Sequence, residues 1–88
     1  MFRLWGRIFS EGKLVRDYVA ECADYSKSRT AMVMEGVREI CHDFDLPEPI
    51  WLENNIRDFQ RRSKVRFSRD NFIEEIDFDY LELQVIEE

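Results

Sequence analysis

Six basic side chains crowd a thirteen-residue window: Arg57, Arg61, Arg62, Lys64, Arg66 and Arg69, with Asp58 the only acid among them. Clustered cations interleaved with aromatics, here Phe59 and Phe67, are what nucleic-acid contact requires. Each neutralised phosphate releases counterions, and exposed rings stack on bases. A competing reading lies next door. Asp70, Glu74, Glu75, Asp77, Asp79, Glu82, Glu87 and Glu88 follow without one Lys or Arg, so the basic window has an acidic neighbour to neutralise. With 13 basic against 19 acidic residues the net charge is −6, which repels a polyanion at long range. The balance favours charge pairing within the chain or a protein-facing surface, with RNA or DNA binding through residues 57–69 as the alternative.

Three carboxylates form a second candidate. If the chain is extended there, Glu75, Asp77 and Asp79 line one face, as hard cations or glycoside hydrolysis would want. The spacing is not that of an EF-hand and no glycine supplies its loop turn, so a solvated acidic face is the expectation. Cys41-His42, with Cys22 elsewhere, provides three unpaired N/S ligands where zinc takes four. Consecutive helical side chains point about 100° apart, so Cys41 and His42 do not make a nucleophile and base. Gly6, Gly12 and Gly36 lie too far apart for a phosphate-binding loop. The spacings imply no cofactor, no metal and no catalytic centre.

Periodicity gives the elements that position these groups. Phe2, Leu4 and Ile8 alternate with Arg3, Trp5 and Arg7, which predicts a half-buried strand. Residues 13–22 predict a second, with Leu14, Tyr18, Ala20 and Cys22 on one face. Ser10-Glu11-Gly12 reads as a three-residue hairpin loop with Gly12 left-handed. Ser28 is a natural N-cap for a helix whose stripe is Thr30, Val33, Met34, Val37, Ile40, Cys41 and Phe44. Pro47 and Pro49 forbid its continuation, so it ends near Asp45. Residues 49–52 read as an extended, buried lead-in to a second helix, which starts at Glu53 or Asn54 and runs to about Ser63. Its inner face is Leu52, Ile56 and Phe59, and Asp58 pairs with Arg62. Val65 and Phe67 mark a short strand, and residues 68–71 a turn or a single helical turn. Ile76, Phe78 and Tyr80 are apolar on even numbers and Leu81, Leu83 and Val85 on odd ones, so only about 79–87 is strand.

The predicted fold is a single α+β domain over 1–88. It has a small antiparallel sheet, made of an N-terminal hairpin, a C-terminal strand and a short fourth strand, with two helices packed on one face. On this reading Trp5 and Met32 point away from the core. They join Arg57, Arg61, Arg62, Lys64, Arg66 and Arg69 as the candidate partner surface. The competing place for Trp5 is beneath the second helix or residues 47–52.

Met1–Gly6 (MFRLWG), Glu39–Leu52 and Asp70–Glu88 resemble stretches of a group of small proteins encoded by anaerobic Gram-positive bacteria. The resemblance spans nearly the whole chain. It implies a bacterial, stand-alone, intracellular protein and no particular site. Composition agrees with a cytoplasmic setting. The two cysteines make no disulfide framework, no secretory signal is visible, and the longest apolar run, Ala31–Met34, is far short of the ~18 residues a membrane span needs. The functional expectation is a non-catalytic protein-interaction or accessory module. Its partner is another protein or a second copy, joined at an edge supplied by strand 13–22 or by the C-terminal strand.

Overall fold

Period-two alternation builds β1 (Phe2–Ser10) against β2 (Lys13–Cys22) in a computed structural model that describes all 88 residues. Ser10 pairs with Lys13, so the connection has two residues, not three. Glu11 and Gly12 both take positive φ, 54° and 77°, the geometry whose twist matches a hairpin. The Glu11 N–H donates to Asp79 Oδ2 at 2.8 Å, which ties the turn to the far end of the chain. Ile8 faces Arg16 and Phe9 faces Leu14, leaving Val15 as an extra residue. This bulge turns Leu14 to the open side of the sheet, against its expected inward face.

β3 (Lys64–Phe67) and β4 (Tyr80–Glu87) complete a four-stranded antiparallel sheet in the order β2-β1-β4-β3. The fold is α+β, as the periodicity predicts, and the short fourth strand is present. The C-terminal strand, however, lies between β1 and β3 and offers no edge. β2 is a true edge, but the Val15 bulge and the charges of Lys13, Arg16, Asp17 and Glu21 blunt it against strand addition.

Both helices cover one face. α1 (Arg29–Asp43) starts where the Ala31 N–H donates to Ser28 Oγ at 3.1 Å, and it stops before Asp45, whose φ is 57°. Two glycines bring it unusually close to the sheet. A Cβ on Gly6 would sit 2.6 Å from Ile40 Cγ2, and one on Gly36 would sit 2.9 Å from Leu4 Cδ2. This approach rotates the helix from the expected stripe. Met32 is buried at 7% exposure, whereas Met34 is 41% exposed. Met32 is therefore a core residue and leaves the candidate partner surface.

α2 (Glu53–Arg62) packs on β3. Of its expected inner face only Phe59 is buried; Leu52 and Ile56 are exposed, and Asn55 takes the inward position. The lead-in at 49–52 is extended but not buried as a whole, since Ile50 faces solvent. Trp51 does turn inward, edge-on to Phe59 at 5.6 Å and to Phe67 at 4.9 Å. Asp58 and Arg62 make no pair within 4.0 Å; the i,i+4 pair on this helix is Glu53–Arg57 at 3.5 Å. Leu4, Ile40, Phe67, Leu81 and Leu83 are fully enclosed, each burial being worth about 1.5–3 kcal/mol.

Candidate functional site

The basic window does not form one surface. Arg57 and Arg61 lie on α2, Lys64 and Arg66 on the open face of β3, and Arg69 in a 3-10 turn (Arg69–Asn71) beside Asp70 and Asp79. Arg62, Lys64 and Arg66 share a shallow cleft with Asn54, Asp58 and Glu82. The acidic stretch pairs with this window only through Glu82, which Arg66 meets at 2.8 Å and Lys64 at 3.8 Å. The other ion-paired acids there are held from elsewhere: Glu87 by Arg3 and the N-terminal amine, Glu88 by Arg29.

No helix covers the opposite side of the sheet, which carries its own polar cover. Glu82 is 3% exposed there, buried under the side chains around it. Its carboxylate is ion-paired with Arg7 at 2.7 Å and accepts from Arg66 at 2.8 Å, while Arg7 Nη2 donates to Gln84 Oε1 at 2.9 Å. The Arg7 guanidinium lies 4.0 Å above the Trp5 ring, Phe9 stacks on Tyr80 at 5.2 Å, and Arg66 covers Tyr80 at 4.6 Å. Arg7 Nε has no hydrogen-bond partner, and the Trp5 π-face beneath its guanidinium is the favourable contact there. Trp5 is thus on the outer face as expected. Neither α2 nor residues 47–52 cover it; its cover is Arg7, and its Nε1–H donates to Asp17 at 3.0 Å. These arginines and rings are engaged with one another, and Glu82 neutralises the centre.

The three expected carboxylates are not aligned on a strand. Asp79 holds the Glu11 turn, while Glu75 and Asp77 line an open cleft with Glu74, Asp45 and Pro47. No three His, Cys, Asp or Glu side chains converge as a metal-holding group. His42 is exposed and Cys41 enclosed. Burial, with a smaller push from Glu48, raises the Cys41 thiol to about 12, so it stays protonated and unreactive at neutral pH.

The apolar opening lies between the helices. The glycine contacts draw α1 down onto β1, and α2 is fastened to β3, so the two leave a groove of about 330 Å³. Thr30, Val33 and Met34 line it from α1, Ile56, Phe59 and Gln60 from α2, and Trp51 joins them. Arg29 lines it as well, its guanidinium over Phe59 at 5.3 Å while donating to Ser63 Oγ and to Glu88. Exposed arginines follow the lining residues along both helices: Arg38 one turn beyond Met34 and paired with Glu48, Arg57 next to Ile56 and paired with Glu53, and Arg61 next to Gln60. Hydropathy alone missed this site because it places Met34 and Ile56 inside. The available signal was Gly36, which marks where α1 touches the sheet.

No helix is long and apolar enough to cross a membrane. Comparison with protein-family models, curated proteins and solved structures finds no match to this chain.

Proposed function

We propose that this chain is a protein-interaction module without catalytic chemistry of its own. It docks the apolar face of an acidic, amphipathic segment of a partner protein in the α1–α2 groove. The observation that carries this reading is the exposure of Met34 and Ile56 on opposite walls of an apolar groove containing Trp51. An apolar interhelical groove is the receptor half of helix-in-groove recognition, and methionine adapts its shape to an inserted side chain. Arg38, Arg57 and Arg61 favour a partner segment with acidic flanks. The setting belongs to the same proposal: a reducing cytoplasm, where Cys22 and Cys41 persist as thiols.

Fluorescence anisotropy with a labelled synthetic helical peptide, one face Leu/Ile and the other Glu, tests it. Wild-type protein binds the peptide, and Ile56→Glu weakens binding about tenfold or more. Equal binding by both proteins, or none by either, refutes the groove. A labelled single-stranded RNA in the same assay tests the alternative. Salt-sensitive RNA binding lost in an Arg61→Glu, Arg62→Glu double variant would transfer the function to the basic window.

A further inference from the structure

Ile73 is the most exposed large apolar side chain of the chain, at 88%. The residues just before it are anchored to the fold. On one side Phe72 is buried and edge-on to Phe78 at 6.1 Å, and Asn71 is bonded to Ile50 in both directions. On the other side come Glu74 and Glu75. Asp70, Glu74, Glu75 and Asp77, which flank Ile73 in the sequence, make no ion pair within the chain. An isolated isoleucine flanked by unpaired carboxylates complements the α1–α2 groove, whose lining is apolar and is followed by Arg38 one turn beyond Met34, Arg57 next to Ile56 and Arg61 next to Gln60. Residues 70–79 do not line the groove of their own chain, whose walls come from α1, α2 and Trp51.

We infer that the occupant of the groove is the acidic loop 70–79 of a second copy of this chain, with Ile73 entering between Met34 and Ile56. The inference rests on the groove reading above and names the partner. Groove and loop are different surfaces, so the contact is heterologous, and a copy that has lost one surface keeps the other. The two exposed ion pairs of these arginines, Arg38–Glu48 at 3.6 Å and Arg57–Glu53 at 3.5 Å, are long and solvent-accessible, and the incoming carboxylates exchange with them at little loss. Arg61 has no partner within the chain and takes one from the loop.

Light scattering of the full-length protein over a concentration series tests this. Wild type rises above its monomer mass of 10.7 kDa with concentration. Ile56→Glu in the groove and Ile73→Glu in the loop each remain monomeric, with unchanged circular dichroism because both side chains face solvent. Met34→Glu serves as a second groove variant. An equimolar mixture of the Ile56→Glu and Ile73→Glu proteins associates again, because the intact loop of one fits the intact groove of the other. A wild type that stays monomeric overturns the inference while leaving the groove reading to the peptide assay. Single variants that associate like wild type place the contact elsewhere and overturn it. So does a mixture that stays monomeric while wild type associates.

Discussion

The Asn71 side-chain amide donates to Asn55 Oδ1 at 2.7 Å and to the Ile50 carbonyl at 2.8 Å, with both asparagines enclosed. Asn55 in turn accepts from the Leu52 N–H and donates to the Arg66 carbonyl; Asn71 accepts from the Ser68 N–H. Two amides thereby fasten the lead-in segment, the start of α2, β3 and the 3-10 turn into one unit. They hold α2 where it forms the second wall of the groove.

Truncating either amide strands buried backbone groups. Asn71→Ala is expected to lower stability by about 2–4 kcal/mol. Urea unfolding checks this, with a lower midpoint at an unchanged slope. A loss below about 0.5 kcal/mol would mean the pair is dispensable.

Glu82 and Arg66 share one ion pair but not one fate. Arg7 also leans on Glu82 and is largely buried, so Glu82→Ala leaves a desolvated cation unpaired, at about 3–5 kcal/mol. Arg66 is 62% exposed, and Arg66→Ala is expected to shift stability by no more than about 1 kcal/mol. Equal losses measured by urea unfolding would contradict this asymmetry.

Gly6 is a spacing residue for α1. Gly6→Ala drives a methyl onto Ile40 and is expected to destabilise by about 1–3 kcal/mol. In an Ile40→Ala background the added methyl has room, so its penalty should vanish. A double-mutant cycle with no coupling would refute the contact.

Cys41 gives a pH signature. Its folded pKa, about 12, lies above the unfolded 9.0, so from pH 9 upward the unfolded chain releases a proton that the folded chain keeps. Stability is full below pH 9 and falls from there toward pH 12, by about 1.4 kcal/mol per unit from this group. Tyr18, raised chiefly by its hydrogen bond to Glu39, acts in the same direction, so the comparison is wild type against Cys41→Ala. The variant should show the shallower alkaline slope. Identical slopes would contradict a buried, protonated Cys41.

Much of the scaffold was legible because alternation and helical period report burial directly. The inward Phe2, Leu4 and Ile8, the Ser28 cap and the start of the last strand near Tyr80 all follow from it. What was not legible arose where a residue's role leaves no hydropathy. Gly36 contributes nothing to an apolar stripe yet is the contact point of α1, so the inferred stripe was rotated and Met32 and Met34 exchanged places. Asn55 and Asn71 are inside because they satisfy backbone groups, while Ile56 lies on the wall of the groove rather than against the sheet. A bulge at Val15 is invisible to a period-two count and moved Leu14 across the sheet. The charge-rich window looked like one surface in sequence, but a helix followed by a strand distributes it over several.

Methyl NMR of the full chain, titrated with the acidic amphipathic peptide, tests the docking groove most directly. The predicted result is that the methyl signals of Val33, Met34 and Ile56 shift together and saturate, while those of Val15, Val19 and Ile86 stay in place. Shifts confined to Leu14, Val15 and Val19 would move the docking surface to the sheet edge and contradict the account.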